Sequence, residues 1–177
     1  MIYDRISEDF FLRDVLEVAP DLVGNYLVRR FDNNVVKKYF ITETEAYRGE
    51  ADRACHASKG RTPRTEVMFG KGGRVYVYFI YGMYWMLNFV TGPENDPSAV
   101  LIRGMEGFSG PGRVGKELSL DKSFYGENLA NSNRLWVERS GKIISVESTP
   151  RMGIDYAGEP WVSKPWRFVI RNNAKKP

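Results

Sequence analysis

Cysteine and histidine are nearly missing from this 177-residue chain, which has one of each, Cys55 and His56. A lone cysteine cannot close an intrachain disulfide, so folding must rest on packing, as is usual inside cells. One Cys and one His fall short of the three or four ligands of a conventional zinc site, and no clustered Asp/Glu spacing offers a carboxylate substitute. No apolar run reaches the roughly 20 residues of a membrane helix, and Met1–Phe10 lacks the build of a signal peptide. Internal repeats and long low-complexity segments are absent as well. These absences predict an intracellular protein of one domain, 1–177, with no metal, no cofactor and no membrane contact; a monomer is expected.

What is present is an ordinary globular composition, 42% hydrophobic and 27% charged, with 26 Lys and Arg against 22 Asp and Glu. The net charge of +4 is weak evidence by itself, but its placement is uneven. Arg48, Arg53, Lys59, Arg61, Arg64, Lys71 and Arg74 fall in one stretch against only Glu50, Asp52 and Glu66. Lys164, Arg167, Arg171, Lys175 and Lys176 form a second basic set at the end. A solvated surface with a basic tail and a surface for a polyanion fit this pattern equally well.

Periodicity places a helix over Asp14 to Val23, bent or shortened by Pro20 and stopped by Gly24. Asn25 to Phe31 reads as a strand, and Asp32-Asn33-Asn34 turns the chain into a second strand running to about Tyr47. Thr62-Pro63 resembles a helix start, with Gly70, Gly72 and Gly73 ending a short helix. From Arg74 to Ile80, Val75, Val77 and Phe79 alternate with Tyr76, Tyr78 and Ile80, and Trp85 to Val90 can return beyond Gly82 as a hairpin. Ala99–Arg103, Leu135–Glu138, Ile143–Val146 and Arg167–Ile170 read as further strands, and Arg113–Leu118 as a short helix. The class is α+β, not alternating βαβ units.

Three segments could carry chemistry. In an extended 41–47 segment, Ile41, Glu43, Glu45 and Tyr47 share a face, which suits activation of a water beside an aromatic wall. Taken alone, the same spacing is better explained by two acids paired with arginines on a solvent face. Around Gly82, the residues Tyr81, Met83, Tyr84 and Trp85 surround a turn, and turns face solvent. Such a tip could enter between base pairs or stack on single-stranded bases, or it could close the end of a sheet. Gly110-Pro111-Gly112-Arg113 before a helix offers backbone N–H groups to a phosphate.

The ordered segments Glu-Thr-Glu-Ala-Tyr (43–47), Cys-His-Ala-Ser (55–58), Arg-Thr-Pro-Arg (61–64), Val-Tyr-Val-Tyr-Phe-Ile-Tyr-Gly-Met-Tyr (75–84) and Val-Leu-Ile-Arg (100–103) resemble the alkyladenine (3-methyladenine) DNA glycosylase family. Gly-Pro-Gly-Arg (110–113), Tyr-Ala-Gly-Glu (156–159) and Pro-Trp-Arg-Phe (165–168) extend the resemblance across nearly the whole chain. The family implies a single mixed α+β domain on a curved antiparallel sheet with a protruding aromatic β-hairpin. It implies an enzyme that flips alkylated or deaminated purines out of double-stranded DNA and leaves an abasic site. Glu45 matches the general base, with Arg103 and the backbone carbonyl near Met152 holding the attacking water. Tyr47, His56 and Tyr78 match rings that sandwich the purine, the His56 backbone N–H its hydrogen-bond donor, and Asn88 the guard against guanine; Tyr76 and Ala54 complete the pocket. Tyr81 matches the intercalating side chain, supported by Met83 and Tyr84. Contacts to the DNA backbone are expected from Arg61, Thr62, Arg64, Arg113 and Lys116.

The residue types suit that chemistry independently. A stacked base is unreachable without extrusion, which costs a few kcal/mol and less for damaged pairs. Aromatic faces bind electron-poor alkylpurines, and a positively charged purine is already a good leaving group, so one carboxylate is sufficient. A glycosylase that also nicks the strand would need an amine nucleophile, and no lysine falls in the Glu45 or Tyr78 segments.

Overall fold

A computed structural model describes residues 4–171, built on a strongly curled antiparallel sheet with few helices, an α+β fold. Two short helices lead in, α1 (Glu8–Phe11) and α2 (Val15–Leu22). In α2 the residues Val15, Val18, Ala19 and Leu22 recur at helical spacing, and all are buried against the sheet. The Asp14 carboxylate caps α2 by accepting from the Leu16 N–H at 2.8 Å, a contact worth about 1 kcal/mol. Pro20 lies inside the helix without ending it.

β1 (Tyr26–Arg30) and β2 (Val36–Arg48) form the expected hairpin, and β2 is the spine of the molecule. One edge of β2 carries β5 (Ser98–Met105), while the other carries β1 and then β9 (Arg167–Ile170). β3 (Val75–Ile80) and β4 (Tyr84–Thr91) make the aromatic hairpin, and β4 joins it to β5. β6 (Phe108–Ser109) folds back on β5, β7 (Leu135–Glu138) flanks β1, and β8 (Val146–Thr149) flanks β9.

Strand alternation sorts the side chains of β3 into two clusters. Val75 and Val77 join the main core with Leu87, Phe89, Val100 and Ile102. Tyr76 and Tyr78 face a smaller cluster with Cys55, Met68, Phe69 and Ala99. α3 (Pro111–Glu117) closes on β4 through glycine: a Cβ on Gly115 would lie 1.8 Å from the Trp85 carbonyl oxygen, and one on Gly112 2.9 Å from the Tyr84 ring. The turn end of the hairpin is thereby braced on α3.

Three local readings of the sequence differ from the fold. The segment after Thr62 is a turn followed by a 3-10 helix at Glu66–Phe69, because the Thr62 and Thr65 hydroxyls bond one another and nearby backbone. The strand expected at Ile143–Val146 lies at Val146–Thr149, where β9 provides a partner, and Ile143 is exposed. Ile41 does not share the face of Glu43, Glu45 and Tyr47. Register shifts between Ile41 and Thr44 turn it into the main core beside Ala46.

Candidate active site

The second half of β2 holds two carboxylates in different settings. Glu45 is 0% exposed. Its Oε1 accepts from the Met152 N–H at 2.8 Å and its Oε2 from the Tyr47 hydroxyl at 2.7 Å. Burial raises its carboxyl above the ordinary range; Arg103, the Met152 N–H and the Tyr47 hydroxyl oppose that rise, and Glu43 adds to it. Arg103 on β5 lies 3.8 Å from Glu45 Oε1, but its closer partner is Glu43, at 2.9 Å. Arg167 on β9 also holds Glu43, at 2.5 Å. The two acids are thus neither both catalytic in setting nor both on a solvent face: Glu43 is neutralised by two arginines, and Glu45 is sequestered beside them. Met152 meets Glu45 through its backbone N–H.

A pocket beside this pair is lined by Tyr47, Ala54, Cys55, His56, Tyr76, Tyr78, Asn88 and Tyr156, among others. His56 and Tyr78 touch edge to face with centroids 4.6 Å apart, so no base fits between them. They form one wall together, and Tyr47 stands as another. His56 Nδ1 lies 2.8 Å from the Tyr76 hydroxyl. Burial, with Arg64 and Lys59 nearby, pulls the imidazole down to about 4, so the ring is neutral near pH 7 and does not repel a cationic ligand. Burial pushes the Tyr76 phenol up to about 12 and raises Tyr47 and Tyr78, so all three keep their protons. Asn88 is buried on β4, and its Nδ2 donates to the Tyr76 carbonyl at 3.1 Å, which fixes its place in the wall.

The other end of the same hairpin is solvent-exposed. Tyr81 is 82% exposed and Met83 62%. Tyr81 and Gly82 both have left-handed φ, 54° and 65°, and the Met83 N–H donates to the Ile80 carbonyl at 3.2 Å. That is the geometry of a type I′ hairpin turn, which suits glycine and costs a tyrosine about 1 kcal/mol. Tyr84 is not part of the tip, since its ring rests on Gly112. Behind the tip Phe79 and Trp85 pack at 5.0 Å.

The basic residues divide likewise. Arg113 and Lys116 are exposed on α3, and Lys116 borders the same cleft as Met83, Tyr84 and Trp85. Arg64 lies over the Tyr78 ring at 4.9 Å, and Thr62 and Arg64 line a second cleft that opens beside the pocket with Arg53 and Lys59. Arg61 is engaged by Glu66 at 2.8 Å and Asn95 at 2.7 Å, Arg48 by Asp14 at 2.5 Å, and Lys71 by Glu8 at 2.8 Å. Part of the basic stretch is therefore consumed within the molecule. Lys175 and Lys176 lie outside the described residues.

Sequence reasoning missed several contributors. Tyr156 stands at the mouth of both clefts, with its hydroxyl 3.3 Å from the Ala54 carbonyl. Asp52 and Arg151 form a buried ion pair at 2.6 and 3.0 Å, directly behind Tyr47. Partners 99 residues apart leave no spacing signal in a sequence. Among the described residues no group of three His, Cys, Asp or Glu is placed to hold a metal ion. No helix among them is long and apolar enough to cross a membrane.

Comparison with known proteins identifies the family of the chain. The family model for methylpurine-DNA glycosylase matches residues 9–109 and 106–174. A relative from Methanocella arvoryzae is 42% identical, over 95% of this chain and 93% of its own length. One from Borrelia garinii subsp. bavariensis is 41% identical, over 93% and 95%, and one from Psychrobacter cryohalolentis 39%, over 91% and 88%. All three carry the provisional name of 3-methyladenine DNA glycosylase. The chain belongs to the methylpurine-DNA glycosylase family and is a hydrolase of N-glycosyl bonds.

Proposed function

We propose that this enzyme is a monofunctional glycosylase that flips an alkylated or deaminated purine out of duplex DNA and hydrolyses its bond to the sugar with a water activated by Glu45. The observation that carries the reading is the Glu45 carboxylate, wholly buried, aimed by the Met152 N–H and the Tyr47 hydroxyl, and set beside an aromatic pocket. In the step proposed, the water oxygen bonds to C1′ as its proton passes to Glu45, and the C1′–N bond breaks with its electrons leaving on the base. A cationic alkylpurine departs neutral, so no acid is required. Hypoxanthine is a poorer leaving group and should be released more slowly than 7-methylguanine. Attack by water inverts C1′ and leaves an abasic site.

Neutral His56 beside Tyr78, with Tyr47 as a further wall, suits stacking on such a base. Asn88, held by the Tyr76 carbonyl, would crowd the guanine 2-amino group. Tyr81, with Met83 beside it, is placed to enter the gap left by the flipped nucleotide, and Tyr84 braces the hairpin from α3. Arg103 serves chiefly to offset Glu43, while Arg64, Thr62, Arg113 and Lys116 would meet phosphates. The chain would act as one domain and as a monomer on damaged double-stranded DNA, wherever the genome resides. The test is product analysis: intact strand until alkali treatment, and no covalent adduct with borohydride. An adduct or an enzyme-made nick would overturn the monofunctional mechanism.

A further inference from the structure

We infer that Asp52 and Arg151 are positioning residues, a buried clamp that sets the Met152 N–H against Glu45. The inference rests on the reading of Glu45 as the general base. Both side chains are wholly buried, and the guanidinium meets the carboxylate through two nitrogens, Nη1 to Oδ2 at 2.6 Å and Nη2 to Oδ1 at 3.0 Å. Each partner is tied to a different part of the site. Asp52 also accepts from the Arg48 and Ala54 N–H groups, both at 3.0 Å, and so shapes the loop that leads to His56. Arg151 Nη1 donates to the carbonyl of Ala46, between Glu45 and Tyr47, at 3.0 Å. Its guanidinium carbon lies 4.8 Å from the Tyr47 ring centroid and 5.0 Å from that of Trp166. The next residue along the chain is Met152, whose N–H holds Glu45.

Stability alone is a poor reason for this arrangement. A buried ion pair is offset by its desolvation, and apolar side chains of similar volume commonly do as well. Arg151 Nε, moreover, has no hydrogen-bond partner in the described structure. What the pair supplies is direction, because a guanidinium fork meets a carboxylate in a fixed plane. The chain leaving Arg151 is aimed by Asp52, and a shift of about 1 Å at a reacting group can lower a rate about 100-fold.

Several groups face Glu45. Glu43 and Tyr47 come from β2, Arg103 from β5, Arg167 from β9 through Glu43, Tyr78 from β3, and Tyr156 and Met152 from the loop between β8 and β9. Tyr156 reaches the clamp only through Ala54, whereas Tyr47 and Met152 are attached to it directly. Both stabilise the ionised carboxylate. Loosening the clamp therefore makes Glu45 harder to ionise, and the acid side of the rate profile moves to higher pH. A merely structural role would reduce the folded fraction without moving that limb.

The experiment compares wild type, Arg151→Lys, Asp52→Asn and Glu45→Gln as full chains. Single-turnover release from a duplex containing 7-methylguanine is followed against pH, with duplex binding and circular dichroism alongside. Arg151→Lys and Asp52→Asn should slow release about 10- to 100-fold, the scale of lost supporting contacts, with Kd within about threefold. Both should shift the acid limb upward. If either variant fails to fold, the other carries the test, and Asp52→Asn keeps the shape of the side chain it replaces. Wild-type rate and limb in a folded variant would overturn the inference, and so would a loss that only tracks the folded fraction. Release retained by Glu45→Gln would instead overturn the underlying reading, whatever the clamp variants do.

Discussion

Tyr76 and Tyr81 are five residues apart on one hairpin, yet the first is 1% exposed and the second 82%. Tyr76 is tied on two sides, its hydroxyl 2.8 Å from His56 Nδ1 and its carbonyl accepting from Asn88 Nδ2 at 3.1 Å. Around Tyr81 the turn is strained and its side chain reaches only solvent. The pocket end is held by side-chain contacts within the protein, and the tip lies open to solvent. This division predicts that pocket variants change the rate of the chemical step, whereas tip variants change how often a base is delivered to it.

The largest effect should come from Glu45→Gln, which keeps both hydrogen bonds possible but removes the base. Base release should fall on the order of 10³-fold. Tyr81→Ala should slow excision about tenfold on stable pairs and less on mismatched ones, since unpairing is the step it assists. A loss equal on every pair would place Tyr81 on the pocket side of the division. Asn88→Gly should raise release of undamaged guanine a few-fold, measured as free guanine from unmodified duplex; an unchanged value removes Asn88 as the guard. The smallest effect is on pH dependence between pH 5 and 8. Glu45 must be ionised to act and its carboxyl lies above the ordinary range, so the rate should fall as pH drops through that raised value. His56 is already neutral above about pH 4 and should add no limb of its own. A second limb that vanishes in His56→Gln would contradict that electrostatic account.

The pocket was also more legible in the sequence than its supports. Alternation in 75–80 separates Val75 and Val77 from Tyr76 and Tyr78, because a strand obliges that separation. Gly82 marks the turn because the left-handed backbone there favours glycine. Glu43, Glu45 and Tyr47 share their face as spacing requires, but Ile41 escapes it through a bulge that no local pattern announces. Which acid is sequestered and which is neutralised depends on Arg103 and Arg167, brought in by separate strands. Asp52 and Arg151 meet only once the fold is complete. Residue types were thus readable where local geometry dictates them, and partnerships were not where topology does.

The central claim is that Glu45 acts in the chemical step and not in binding. The most direct measurement is single-turnover release of 7-methylguanine from duplex DNA by wild type and Glu45→Gln, with Kd for the same duplex taken in parallel. The account predicts rapid release by wild type, almost none by Glu45→Gln, and Kd values within about threefold, because the pocket and hairpin are untouched. Comparable release by both proteins, or a loss of release matched by an equal loss of binding, would contradict it.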